Sequence, residues 1–218
     1  MKLSNIFRLN WIATCRLNYL AGGWKAVFRM PVKVYGRLRL SLRGKLVLPE
    51  DAIRGTLIIG EPYEDHTVSA GKAQLVLDGE WRVQGIVRIG IDCFIGVREG
   101  GVLLMSDRVL VGRDSEIRCS RSVTLEPNVV LAKAYLNDST EHVMLQDGQP
   151  KPKCKPIAVG EGALVLHATL LGGAVIPPQS VVAAGSVCLR DYSNEGPSKL
   201  LLAGVPAAVK HRDYTYIL

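Results

Sequence analysis

The chain has 218 residues, is 48% hydrophobic and carries a formal net charge of +7, which suits one folded domain with a proper core, or one domain with a small attachment, and excludes a disordered chain. Its Lys and Arg are spread along the sequence with no polybasic tail and no interleaving with aromatics; the surface should favour anions such as nucleotides, phosphates or acidic glycans, and no nucleic-acid partner is expected. The five cysteines, Cys15, Cys93, Cys119, Cys154 and Cys188, are far apart and never in CxxC spacing, which excludes a zinc cage or disulfide framework and reads as reduced cytosolic thiols, mostly core fillers.

Residues 1–30 form the first expected unit. The stretch NIFRLNWIATCRLNYLAGGWKAVF is apolar and aromatic, but Arg8 and Arg16 interrupt it before a signal-peptide core or membrane span forms, so export by that route is not expected. As a helix, residues 4–20 are amphipathic, with basic residues beside Trp11 and Tyr19. Such a helix either packs on the main domain, the favoured reading, or makes a peripheral membrane contact. Residues 31–74, including VKVYGRLRLSLRGKLVL, alternate apolar and basic residues and read as irregular first coils that cap a solenoid.

From residue 75 a period appears. Leu77, Val83, Ile89 and Ile95 fall at steps of six, as do Val111, Ile117, Val123, Val129 and Tyr135, and then Leu170, Ile176, Val182 and Cys188. Glycine follows the aliphatic at Gly90, Gly96, Gly112 and Gly160. A step of six fits neither a 3.6-residue helix nor two-residue alternation along a flat strand. It fits a parallel β-helix of short strands and tight corners, with one aliphatic per face pointing inward and glycine or a small polar residue in the corners.

The pattern breaks at GGVLLMSD (100–107) and again at LNDSTEHVMLQDGQPKPKCKP (136–156), a long polar loop with Asp147-Gly148 placed for a tight hairpin turn. Solenoids put such insertions on one, often working, face. Residues 75–212 are thus the solenoid, carrying the loop, and 213–218 a tail.

Beyond the loop, PIAVGEGALVLHATLLGGAVIPPQSVVAAGSVCLRDY and LLAGVPAAVKHR resemble the hexapeptide-repeat acyltransferases. The match is close at Ser180 to Val187 (SVVAAGSV) and Ala203 to Ala207 (AGVPA). Within that superfamily, Asp138-Ser139-Thr140-Glu141-His142 resembles the D-S-x-x-H run of members that O-acetylate bacterial capsule, O-antigen or exopolysaccharide sugars. The resemblance implies an all-β, left-handed parallel β-helix with a short N-terminal helix and one protruding loop. It also implies a cytoplasmic homotrimer with its site between neighbouring copies, acetyl-CoA or another acyl-CoA as donor, and a sugar or polysaccharide acceptor. The sequence departs from the family at Leu164, where relatives carry Trp, at the five-residue step from Val165 to Leu170, and at Ala208, where relatives carry Lys.

Direct acyl transfer to a sugar hydroxyl needs a base, donors for a tetrahedral oxyanion and a groove for the donor. Histidine suits the base because its ordinary pKa is about 6.5, and a nearby carboxylate fixes its tautomer. His142 is the expected base, with Asp138 or Glu141 as orienting acid. His167 is the rival, inside the repeat; His66 precedes the regular coils and His211 is near the terminus. With no HxxxxH spacing, no metal is expected. The donor is expected along Leu164, Ala168, Gly172, Gly173, Ala183, Ala184, Gly185 and Ser186, where small residues admit a pantetheine arm. A backbone N–H at Ala168 or Gly185 faces the thioester, and Lys199, Lys210 and Arg212 are candidates for the phosphates. N-acylation of a nucleotide-linked amino sugar, and an inactive scaffold, remain as alternatives.

Overall fold

The computed structural model describes residues 9–61 and 69–216; His66 and the start of the expected helix lie outside them. Helix α1 (Trp11–Arg29) opens on Asn10, whose side-chain oxygen accepts from the Ala13 N–H at 3.1 Å, and closes on Met30 in the left-handed region. Gly22 and Gly23 leave helical geometry and kink it. The first helical segment therefore ends at the Gly pair, close to the expected end at residue 20, and a second segment carries α1 on to Arg29.

The inner side of α1 docks on the first strand, Val32–Val34, and its polar residues make that contact. Asn18 is fully buried; its amide donates to the Thr14 and Val32 carbonyls at 2.7 and 2.8 Å and accepts from the Val32 N–H at 3.0 Å. The Thr14 hydroxyl accepts from the Val34 N–H at 3.1 Å. These side chains supply the hydrogen bonds that a preceding coil would have made, so the open edge of the solenoid is closed by a helix.

The chain then winds through three faces in turn. The first face holds nine strands, the second seven and the third six. Neighbours within each face are parallel, as in Val87–Ile89 against Val109–Val111 and Phe94–Val97 against Glu116–Cys119, save for the closing antiparallel hairpin of Leu201–Gly204 and Ala207–His211. The expected aliphatics point inward and stack: Leu77, Val83, Ile89 and Ile95, then Val111, Ile117, Val123 and Val129, then Leu170, Ile176, Val182 and Cys188, are all buried. Most strands are only two to four residues long, so a strand buries one or two side chains before the chain must turn.

Several expectations are corrected. Coil register already begins at Arg39–Leu42 against Gln74–Leu77 and Lys45–Val47 against Glu80–Val83, so the alternating segment before residue 75 is part of the wall. Residues 102–105 are no break but a third-face strand with Leu103 and Met105 buried; only the corner before it is lengthened. Tyr135 is half-buried and Leu136 takes its place inside, because the corner from Leu131 to Leu136 takes five residues, as does that from Val165 to Leu170.

The repeated glycines serve the contact between successive coils. Gly90, Gly112 and Gly160 do not have positive φ; a Cβ there would meet backbone of the next coil at 2.8, 2.9 and 2.6 Å. They are needed for close approach. The left-handed corners fall instead on residues such as Arg108, Asn128, Lys133, His167, Gln179 and Lys199, polar or charged residues suited to a solvent-facing corner.

Candidate active site

The loop leaves the solenoid where the second face ends. Down that face the inward column runs Leu77, Val97, Cys119, and the next position in register is Asp138. Its carboxylate, 1% exposed, accepts from the Ser120, Arg121 and Ser122 N–H groups at 2.7, 2.7 and 2.8 Å. Three amides of the previous corner thus satisfy a charge that replaces an aliphatic. Asp92 does the same higher up, accepting from the Ala70 and Lys72 N–H groups and the Ser69 hydroxyl. Burial works against its charge, but those donors outweigh it and hold its carboxyl below the usual range.

Asp138, one of the two expected orienting acids, thus turns its carboxylate into the wall, and no hydrogen bond joins it to His142. Glu141, the second expected orienting acid, turns back instead to Arg98, with 2.9 Å between Arg98 Nη2 and its carboxylate.

The loop base is pinned by the Lys155 N–H donating to the Asp138 carbonyl at 2.9 Å, by Ser139 bridged to Cys154, and by the Thr140 N–H donating to the Lys153 carbonyl at 3.0 Å. A Cβ on Gly172 would meet the Asp138 carbonyl oxygen at 2.8 Å, so Gly172 is the floor under this base. The tip is the hairpin expected from Asp147-Gly148: Leu145–Gln146 pairs with Gln149–Pro150, and both turn residues have positive φ. Between base and tip stands His142. Its carbonyl accepts from the Thr140 hydroxyl at 2.8 Å, while its imidazole is exposed and hydrogen-bonds to nothing among the described residues. Val143, Met144 and Leu145 follow it, all exposed.

Beneath Glu141 a cleft of 530 Å³ opens on the second face, lined by Phe94, Gly96, Arg98, Arg118, Ser120 and Glu141 among others. The Phe94 ring lies over Gly96, where a Cβ would meet it at 2.8 Å, and the Arg118 guanidinium sits over the same ring at 4.8 Å. Arg118 is also paired with Glu116. Phe94, Arg98 and Arg118 did not stand out in the sequence, since a cation stacked across two coils leaves no local pattern.

The expected donor residues fall on three different edges. Ala168, Ala183, Ala184, Gly185 and Ser186 share the edge between first and second faces; Gly172 and Gly173 lie on the loop edge; Lys199 is on the third edge, in a pocket with Gly162, Gln179, Thr215 and Tyr216. Lys210 and Arg212 are at the end of the closing hairpin. Leu164 is nearly buried, which removes it as an open contact surface. Gly185 already donates its N–H to the His167 carbonyl at 2.9 Å, whereas no backbone acceptor faces the Ala168 N–H among the described residues. His167, the rival base, is a corner residue with positive φ whose backbone N–H and carbonyl both make hydrogen bonds. Cys93, Cys119 and Cys188 are buried, which pushes their thiols up to about 12, 12 and 11 and leaves them inert fillers; Cys15 is exposed and Cys154 half-buried. No group of three metal-ligating side chains is present among the described residues.

Neither a family model nor a curated protein matches the sequence. Among solved structures the chain is similar to the polySia-specific acetyltransferase NeuO, at 18% identity and a TM-score of 0.52 over 86% of this chain and 79% of that one. It is also similar to the polysialic acid O-acetyltransferase OatWY, at 13% identity and 0.49 over 84% and 87%. A hexapeptide-repeat acetyltransferase of Vibrio cholerae complexed with acetyl coenzyme A aligns at 16% identity and 0.41 over 67% of each chain. At such identities the likeness is one of fold. The three-faced coil is a left-handed parallel β-helix of the hexapeptide-repeat kind.

Proposed function

We propose that this chain is a coenzyme A-dependent O-acetyltransferase acting on a sugar hydroxyl of a surface polysaccharide or its precursor, with His142 as general base. The observation that carries the reading is the loop itself: a rigid solenoid holds out, on a pinned base, one exposed imidazole with no partner among the described residues. The similarity to polysaccharide O-acetyltransferases and the SVVAAGSV and AGVPA runs of the last coils support the donor and acceptor classes.

In this reading the His142 imidazole takes the proton of the acceptor hydroxyl as its oxygen attacks the thioester carbonyl. The Ala168 N–H donates to the oxyanion, and the C–S bond breaks as the imidazolium returns its proton to the departing thiolate. The small residues Ala183, Ala184 and Gly185 give the donor close access to the backbone, and the cleft over Phe94 and Arg118 offers a stacking surface for a sugar.

Within one chain Ala168 and the loop base lie on opposite edges of the second face, about 10 Å apart for a strand of three residues. Bringing base and oxyanion donor together asks for a neighbouring copy, and the exposed Val143, Met144 and Leu145 beside His142 offer the contact. A homotrimer closes such contacts into a ring. His142→Ala should lower acetyl-CoA turnover by about 10²–10⁴-fold with melting temperature and oligomeric state unchanged; unaltered turnover would overturn the assignment. The inactive-scaffold alternative, favoured by Leu164 in place of Trp, predicts no thermal shift with saturating acetyl-CoA.

A further inference from the structure

Helix α1 has a second side that the solenoid does not use. Trp11, Ile12, Tyr19, Trp24 and Phe28 are large apolar residues at 52%, 76%, 56%, 68% and 79% exposure, all on one helix. Trp11 and Tyr19 lie two turns apart on the outer side of the first segment, with Ile12 and Arg16 beside them. Beyond the kink at Gly22 and Gly23, Trp24 and Phe28 resume one turn apart. The Tyr19 and Trp24 rings meet edge to face across the kink, 5.5 Å between centroids, so the two segments present one continuous aromatic surface. A 420 Å³ apolar groove runs along it, lined by Cys15, Arg16, Tyr19, Leu20, Trp24 and Leu42 among others.

Charge selects the occupant. The helix contains Arg16, Lys25 and Arg29 and no Asp or Glu. A twofold contact with a second copy would set these cations against themselves with no carboxylate on the helix to answer them. A bilayer with anionic headgroups answers both features at once: aromatic rings settle at the headgroup boundary, and Lys and Arg meet the phosphates. The helix is not long and apolar enough to cross a membrane, so it would lie in the interface plane. We propose that the outer face of α1 is a docking surface for an anionic lipid bilayer, holding the β-helix end-on at the membrane while its inner face caps the first coil. This is independent of the acyl-transfer reading, since no residue of α1 belongs to the candidate active site.

The test is flotation of the purified full-length protein with phosphatidylcholine vesicles, with and without phosphatidylglycerol. The protein should float with the phosphatidylglycerol vesicles, less so at high salt and less so for the Lys25→Glu/Arg29→Glu variant. Trp24→Ser/Phe28→Ser should lower partitioning by about tenfold or more with an unchanged melting curve, since both side chains are mostly exposed. Failure to float, or equal flotation of that variant, would overturn the proposal. So would equal, salt-independent flotation with phosphatidylcholine alone, or an absence of flotation with self-association that Trp24→Ser/Phe28→Ser abolishes, which would assign the surface to a second copy.

Discussion

Asp138 and His142 are four residues apart in sequence, yet the structure gives them opposite surroundings, one inside the wall and one in solvent. A buried carboxylate holding three backbone N–H groups of the preceding corner is a structural part, and its loss leaves those donors without that acceptor. Asp138→Ala should destabilise the fold by about 2–5 kcal/mol, and Asp138→Asn nearly as much, because an amide NH₂ then faces N–H donors. Thermal melts decide this. Retention of the wild-type melting temperature in both variants, with loss of turnover alone, would return Asp138 to the role of orienting acid. The sequence marked this residue through its place in the D-S-x-x-H run, but burial and direction belong to register: Asp138 points inward because it continues the column of Leu77, Val97 and Cys119.

At the scale of elements, the loop and the helix are attachments to a wall that does not need the first of them. Ser139 and Cys154 face each other as an antiparallel bridge, so the two ends of the insertion are already side by side. Replacing residues 140–153 with Asn-Gly should keep the melting temperature within a few degrees, since shortening a closed loop changes its closure entropy only slowly, while acetyl transfer is lost with His142. A collapse of the fold on this exchange, seen by circular dichroism, would show that the loop is part of the core. The Arg98 to Glu141 ion pair does not alter that expectation: both partners are exposed, and such a pair contributes roughly 1 kcal/mol or less. The helix differs, because Thr14 and Asn18 complete the backbone bonds of Val32 and Val34. Its amphipathic character was visible in the sequence; that two buried polar side chains stand in for a missing coil was not.

Across the whole molecule, each coil touches only its neighbours, so stability is transmitted along the stack and a defect in the middle interrupts it. Leu103, fully buried in a third-face strand between Trp81 and Val123 in register, tests this. Leu103→Ala should cost about 3–5 kcal/mol in denaturant unfolding, and the same change at Leu46, near the helix-capped end, about 2–3 kcal/mol. Equal costs at the two sites would mean that the solenoid melts as one unit.

The sequence by itself determined the coil, because a step of six aliphatics is a local rule that each hexad obeys separately, and it determined where the coil opens for a polar loop. Only the tertiary structure decided what the repeated glycines are for, which carboxylate is buried, and which edge each small residue lies on. Those depend on what the next coil places against a residue some twenty positions away, and a one-residue difference in corner length moves a side chain from the core to the surface.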